Sequence, residues 1–170
     1  RPGATVRRWW RGDPNVFYYA LAAGVVGAAP GARGRRDRDE RGAFLGCAPA
    51  HIVDLKAAVR YLRHNKDRIF GDTEHIISNG TSAGGALSAL LGTSGNSVEY
   101  EPYLEALGAA QERDDIFAAS CYTPIMDLEH ADMAYEWMFH GVNHYELNNV
   151  KNIGGGLNES FEEGDMTAEQ

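Results

Sequence analysis

The sequence predicts an α/β fold, in which helices flank a mostly parallel β-sheet. Two observations lead to this prediction. Short strand candidates occur at 25–29, 75–79 and 116–122, and the first of them is wholly apolar without polar alternation, as in a strand buried on both faces. Segments with apolar residues at helical spacing precede, separate and follow them. Such alternation of strands and helices is typical of a parallel sheet that helices cover on both faces.

The first predicted elements are a helix and a strand. Asp13 and Pro14 form a helix start, the apolar run at 16–21 continues it, and Gly24 ends it. Residues 25–29 then form the first buried strand, which Pro30 terminates. A polar loop extends to about residue 48.

The middle of the chain predicts a helix, a strand and a second helix. From residue 49 to about 65, apolar residues recur with a helical period, and basic and acidic residues occupy the other side. The apolar positions are Ile52, Leu55, Val59 and Leu62, and the charged ones are Asp54, Lys56, Arg60 and Arg63. Residues 75–79 form the next strand, and a helix from Ala83 to Leu91 follows almost at once.

The remaining segments predict a short surface helix at 100–107, a third buried strand at 116–122 and a third helix packed on the sheet. That last helix is marked by Leu128, Ala131, Tyr135 and Met138. After Asn143 the periodic pattern ends, so we expect residues 145–170 to be loop-like.

Composition excludes several classes of function. The 170 residues carry a net charge of −8, and no run of 18 apolar residues exists, so we expect no membrane partner. Residues 1–70 hold 14 of the 16 Lys and Arg, but acids interrupt the arginine-rich stretch at 33–41, so we expect no nucleic-acid partner either. Cys47 and Cys121 alone cannot form a zinc site or a disulfide framework, and we predict neither a metal nor a cofactor.

The segment Gly80-Thr81-Ser82-Ala83-Gly84 is placed where a strand turns directly into a helix. Such a turn forces its serine into a strained backbone and exposes the hydroxyl at the carboxyl edge of the sheet, as a nucleophile needs. We therefore predict Ser82 as the nucleophile, the Ala83 amide as an oxyanion donor, and steric reasons for glycine at 80 and 84. The alternative is a glycine-rich turn that binds phosphate or packs tightly.

Longer strings resemble bacterial tannases, which are α/β-hydrolases. They are PAHIVDLKAAVRY (49–61), IISNGTSAGGA (76–86), SGNS (94–97) with EPY (101–103), LEHADMAYEW (128–137) and GARGR (31–35). The resemblance extends over about residues 14–144 and implies hydrolysis of galloyl esters through an acyl-enzyme, with a small phenolic ester as the partner. Tannases and feruloyl esterases with a disulfide-bonded Cys before the serine do not match, because Thr81 stands there.

The resemblance also implies that parts of the enzyme lie outside this chain. In α/β-hydrolases the acid and the histidine follow the nucleophile in that order, and we expect both beyond Gln170. We expect the second oxyanion amide at or before Arg1, and the strand between 25–29 and 75–79 largely before it. The chain is thus expected to be an internal fragment: residues 1–144 a partial α/β-hydrolase core incomplete at both ends, and 145–170 the start of a lid or inserted domain. Localisation is not predicted.

Other polar residues have a structural and a catalytic interpretation. His130, His140 and His144 follow Ser82 but come too early in the chain for the hydrolase histidine. His140 also stands where tannases tend to carry Asn. Asp127 follows the third strand, where some hydrolases place their acid; a tannase-like Asn there favours helix capping instead.

Arg33 either binds a substrate anion or forms an ion pair that holds its loop, and the ion pair is favoured. Two alternatives to a galloyl esterase stay open. One is a carboxylesterase or peptidase of the same fold with another acyl preference, and the other is a hydrolase-like binding protein without catalysis.

Overall fold

The computed structural model describes residues 16–34, 37–153 and 156–165. Contacts divide the chain into two compact units, Arg1–Met126 and Asp127–Gln170. The first unit contains α1 (Val16–Ala22), α2 (Ala50–His64), β1 (Ile77–Thr81), α3 (Ala83–Thr93), a 3₁₀ turn (Val98–Tyr100), α4 (Glu101–Leu107) and β2 (Ala118–Tyr122). The second contains α5 (Met133–Phe139), β3 (His144–Ile153) and β4 (Gly156–Asp165).

The first unit is built on the parallel pair β1 and β2. Their register pairs Ile77 with Ala118 and Thr81 with Tyr122, and α3 and its flanking chain connect β1 to β2. Both strands therefore end at the same edge of the sheet. The predicted α/β fold with parallel strands is confirmed, and each of these strands lies within one or two residues of its predicted range.

The core of the first unit lies between α2, α3 and the strands. Ile52, Val59 and Leu91 are buried, and partly buried apolar side chains pack around them. These are Leu55, Ile76, Leu87, Leu90, Tyr100 and Ile116. The apolar face predicted for α2 is the face that packs inward.

The charged side of α2 is not exposed as a solvated face would be. Lys56, Arg60 and Arg63 are at most 4 % exposed. The chain at 94–96, Glu101 and the residues before β2 cover this side and provide acceptors for all three cations, but Arg63 Nε and Nη2 have no hydrogen-bond partner among the described residues. Helical periodicity identified the apolar stripe of α2 and not this second covered side.

The strand predicted at 25–29 is absent. Residues 25–29 are described as irregular chain, and Val25 and Val26 are 53 % and 55 % exposed. A strand needs a neighbour to accept its backbone hydrogen bonds, and no described residue pairs with this run. The helix before it is present as α1, although its predicted start at Asp13 and Pro14 lies outside the described residues. Residues 4–9 also lie outside the described residues. The open position in the sheet beside β1, expected where the preceding strand is missing, therefore stays a prediction.

The second unit differs from the prediction in two ways. Residues from 145 onward, predicted to be loop-like, form the antiparallel hairpin β3–β4, in which His144 pairs with Asp165 and Ile153 with Gly156. Two glycines, 154 and 155, separate the strands in the sequence, which is a recognised hairpin signal. The third helix also begins later than predicted, at Met133.

Among the described helices, none combines the length and the apolarity that a bilayer crossing demands.

Candidate active site

Ser82 occupies a one-residue turn between β1 and α3. β1 ends at Thr81, α3 begins at Ala83, and Ser82 between them has φ 57° and ψ −118°. A non-glycine residue rarely adopts positive φ, and such strain recurs at functional positions. The sharp turn and the unusual backbone predicted for Ser82 are confirmed.

The glycines around Ser82 have different roles. A Cβ at Gly80 would lie 2.1 Å from the Gly84 carbonyl oxygen, so glycine is required there as predicted. A Cβ at Gly84 would meet nothing within 4 Å, so the predicted clash at that position is wrong. The crowded position in α3 is Gly85, where a Cβ would lie 2.8 Å from the Tyr122 carbonyl oxygen. Glycine is therefore required at position 85 by the close approach of α3 to the end of β2, and not by the turn alone.

The turn is attached to the neighbouring strand. The Ser82 amide donates to the carbonyl of Tyr122, at 2.9 Å, where β2 ends. The next residue, Thr123, also has positive φ, at 42°. Two strained non-glycine residues therefore lie beside each other at the carboxyl edge of the sheet, where open α/β folds bind their ligands. Ser82 itself is exposed.

Ala83, the predicted oxyanion donor, is the first residue of α3. An amide in the first turn of a helix has no carbonyl one turn earlier to bond with, and the helix dipole there favours negative charge. The Ala83 amide can therefore donate to an oxyanion that forms on a substrate bound at Ser82.

Among the described residues of the first unit, no acid and base are assembled beside Ser82. Within its described part, the Ser82 hydroxyl has no hydrogen-bond partner. His75 in this unit pairs with Asp72 instead, at 2.5 Å, and this contact is the largest of those that lower the pKa of the Asp72 carboxyl.

In the second unit, Asp127 and His130 form a local pair. The Asp127 carboxylate accepts from the His130 amide at 3.1 Å and lies 3.2 Å from the His130 ring. This turn resembles a helix cap, but α5 begins only at Met133, after Asp132. The predicted capping of a helix by Asp127 is therefore reduced to capping a turn, because the residues up to 132 do not continue as a helix.

Arg33 forms the ion pair favoured by the sequence. Its guanidinium donates to both oxygens of Asp54 at 2.8–3.1 Å, and its amide donates to the same carboxylate at 2.7 Å. Burial works against ionisation of Asp54, but these hydrogen bonds outweigh it and lower the pKa of its carboxyl. The pair holds the turn at 31–34 against α2. It also neutralises the Arg33 guanidinium, the charge that a substrate anion would need.

One group of side chains has the composition of a metal site. His144, Glu146 and Glu163 in the hairpin can bring their ligand atoms within 4.8 Å of one another. All three are exposed, and His144 also pairs with Asp165 at 3.1 Å. Exposed carboxylates often lie this close without binding a metal, so we assign no metal to them.

Sequence reasoning missed the residues that hold α3 on the sheet. The Tyr122 carbonyl anchors Ser82, and the Ser88 hydroxyl lies 2.6 Å from the Ser78 hydroxyl. No local pattern could identify these contacts, since the first joins segments 40 residues apart and the second depends on how α3 lies against β1.

Comparison with solved structures finds bacterial tannases. A tannase from Fusobacterium nucleatum superimposes with a TM-score of 0.77 at 53 % identity, over 98 % of this chain and 36 % of that one. A Lactobacillus plantarum tannase gives 0.75 and 48 %, over 99 % of this chain and 37 % of that one. A tannin acyl hydrolase in complex with ethyl gallate gives 0.70 and 49 %, over 96 % and 34 %. The resemblance that the residue strings indicated is confirmed.

Curated relatives are esterases. Esterase LipQ of Mycobacterium tuberculosis is 34 % identical over 99 residues, which are 58 % of this chain and 22 % of that protein. Esterase LipC of the same organism is 45 % identical over 56 residues, 33 % of this chain and 14 % of that protein.

The chain thus spans about a third of the tannases and a quarter or less of the esterases that it matches. The BD-FAE family model matches residues 42–152, which include β1, Ser82, α3 and β2. Since this match covers more than half of the chain and agrees with the fold, the chain belongs to the BD-FAE family of α/β-hydrolases.

Proposed function

We propose that this chain carries the nucleophile of a serine esterase that hydrolyses galloyl esters. The observation that carries the proposal is the backbone of Ser82, which has φ 57° in a one-residue turn between a parallel strand and a helix. A phosphate-binding turn does not need a serine held in this strained geometry, whereas a nucleophile elbow does. The identity of 47–53 % to tannases over nearly the whole chain supports galloyl esters as the substrate class.

In the proposed reaction, Ser82 Oγ attacks the ester carbonyl carbon while a histidine accepts the hydroxyl proton. The Ala83 amide donates to the oxyanion, a contact whose loss typically costs about 2.7–4 kcal/mol of transition-state stabilisation. The tetrahedral intermediate then breaks the bond to the leaving oxygen, which accepts the proton from the histidinium and departs as the alcohol. Water then attacks the acyl-enzyme with the same histidine as base, releases gallic acid and restores Ser82. The described part of the first unit does not supply this histidine, nor the acid that orients it.

A carboxylesterase with a different acyl preference is the second candidate. The similarity to the esterases LipQ and LipC supports it. The tannases match more of this chain and at higher identity than either esterase, so galloyl esters are the first choice.

The test compares two chains, each with and without Ser82→Ala. One is the 170-residue chain, and the other is the same protein continued until an acid and a histidine at hydrolase spacing are included. We expect the longer chain to release gallate from methyl gallate, and Ser82→Ala to reduce kcat by at least about 10⁴-fold. The short chain should be no faster than its own Ser82→Ala variant, because a serine hydroxyl without a base is a weak nucleophile at neutral pH.

Two outcomes contradict the proposal, and a third contradicts the expectation that the acid and the histidine lie beyond Gln170. Hydrolysis of p-nitrophenyl acetate but not of methyl gallate by the longer chain means an esterase with another acyl preference. A folded longer chain without any Ser82-dependent turnover indicates a binding protein. Ser82-dependent turnover by the short chain means that the acid and the base lie within residues 1–170.

A further inference from the structure

The hydroxyl of Ser88 connects α3 to both strands of the sheet. Ser88 lies in the second turn of α3 and is only 4 % exposed. Its Oγ lies 2.6 Å from the Ser78 hydroxyl in β1 and 3.5 Å from the Ser120 carbonyl oxygen in β2. The Ser78 hydroxyl also lies 3.3 Å from the Ser88 carbonyl oxygen, to which it can donate. One buried hydroxyl of α3 therefore contacts both strands.

This contact lies on the side of α3 that approaches the sheet most closely. A Cβ at Gly85 would lie 2.8 Å from the Tyr122 carbonyl oxygen, and a Cβ at Gly92 would lie 3.1 Å from the Ala119 Cβ. Residues 85, 88 and 92 fall on one face of a helix. Gly85 and Gly92 provide space and no hydrogen bond, so Ser88 is the residue on this face whose side chain is bonded to the strands.

The orientation of α3 determines what the elbow can do. Ser82 is fixed to β2 through its amide, and Ala83 begins the helix, so a tilt of α3 about this attachment redirects the Ala83 amide. An oxyanion donor works only when its hydrogen bond is formed at the position of the developing charge. A small change of tilt lowers the rate without removing any group that touches the substrate.

We propose that Ser88 is a positioning residue, which sets the tilt of α3 and thereby the aim of the Ala83 amide at the oxyanion. This role rests on the proposed esterase function. The alternative is that the hydrogen-bonded Ser88 hydroxyl contributes to stability only. The two roles predict different results, because replacing a residue that contributes only to stability leaves kcat of the folded enzyme unchanged.

The test uses the longer, active chain with Ser88→Ala and a matched control, Ser94→Ala. Ser94 lies just after α3, and its hydroxyl donates within the helix to Leu90 O at 2.6 Å, without contacting a strand. We expect Ser88→Ala to lower kcat about tenfold with KM within twofold, and Ser94→Ala to leave both unchanged. A phenylboronate that forms a tetrahedral adduct at Ser82 should lose the same factor in affinity as kcat loses.

A second variant covers the case in which Ser88→Ala does not fold. Ser78→Ala removes the partner of the 2.6 Å contact from the half-buried side of β1, and it should lower kcat in the same way. Where both single variants fold, the double variant should be no slower than Ser88→Ala, because the two hydroxyls act through one contact. Unchanged kcat in both single variants, or an equal loss in Ser94→Ala, overturns the proposal.

Hydrogen exchange separates this proposal from the proposed function. The Ser82 amide, bonded to Tyr122 O, reports on the seating of α3 whether or not the protein is an enzyme. It should exchange faster in Ser88→Ala than in Ser94→Ala. If the parent protein has no Ser82-dependent turnover, the esterase function fails, and equal exchange in the two variants overturns the positioning role separately.

Discussion

Gly80 and Gly84 flank Ser82 symmetrically in the sequence but are not equivalent in the structure. Gly80→Ala would force a Cβ to within 2.1 Å of the Gly84 carbonyl oxygen and 2.3 Å of its carbon. We expect it to lower the free energy of unfolding by at least about 2 kcal/mol, because backbone atoms on both sides of the contact must move. Urea denaturation of this variant and of the parent chain measures the change in the free energy of unfolding.

Gly84→Ala is the matched control for that substitution. It adds the same methyl group where nothing lies within 4 Å, in a helix where alanine is favoured by up to about 1 kcal/mol. We expect this variant to be as stable as the parent or more stable. Equal destabilisation by both substitutions would mean that the space around position 84 is not as open as the structure shows.

The residues around Ser82 also show what the Gly-Thr-Ser-Ala-Gly pattern could predict and what it could not. The position and the strained backbone of Ser82 followed from the sequence, because a strand that turns into a helix within one residue leaves few backbone conformations. The reason for Gly84 could not be judged in the same way. Whether a Cβ clashes depends on where α3 lies against β2, and no property of the pentapeptide contains that information.

At the scale of elements, the hairpin carries an unfavourable charge pair. Glu146 and Glu163 lie directly opposite each other in its register, and both are exposed. Like charges at such positions destabilise a pair of strands, and opposite charges contribute roughly 0.2–1 kcal/mol. Glu163→Lys should therefore slow amide exchange in β3, less so in high salt, which screens exposed charges.

Glu162→Lys is the control for the hairpin. It makes the same change in net charge one residue away, where the paired residue is Leu147. Successive residues of a strand point to opposite faces, so this lysine does not face Glu146. Equal slowing by both variants would show that net charge, and not the cross-strand pair, limits the stability of the hairpin.

Two elements show why local sequence misassigned strand and loop. Residues 25–29 have strand composition and form no strand, whereas the polar residues at 144–153 and 156–165 form one each. A strand is stabilised by its partner, and the hairpin brings its own partner two residues away. Residues 25–29 depend on a neighbour that is distant in the chain, and composition cannot show whether one is present.

At the scale of the whole first unit, Asp114 is the centre of the buried ionic network. It is fully buried and accepts hydrogen bonds from the Lys56 ammonium, the Arg60 guanidinium and the Asn96 amide. Asp114→Asn leaves the buried Lys56 ammonium without its counter-charge and Arg60 with Glu101 alone, and breaking a buried ion pair typically costs about 3–5 kcal/mol. Asp67→Asn, the control, removes an exposed carboxylate and should cost little. Urea denaturation at neutral pH compares them.

The same network predicts a dependence on pH. Burial, the largest single influence, opposes ionisation of Asp114, but the hydrogen bonds from Lys56, Asn96 and Arg60 outweigh it, so the pKa of this carboxyl is lowered. Its contribution is therefore complete above the unfolded-state pKa, about 3.9, and is lost as the pH falls through the lower folded-state pKa. The difference in stability between the parent and Asp114→Asn should shrink below about pH 4. A difference that grows there would reverse the assigned direction of the shift.

What the sequence by itself determined is the α/β class, the core face of α2, the elbow at Ser82 and the family resemblance. All of these depend on residues close together in the chain, where spacing and backbone conformation act directly. The tertiary structure decided that Lys56 and Arg60 are buried around Asp114, that Gly85 is the crowded glycine of α3, and that Ser88 reaches both strands. These features depend mainly on contacts between segments 30 to 60 residues apart, and no local pattern specifies such contacts.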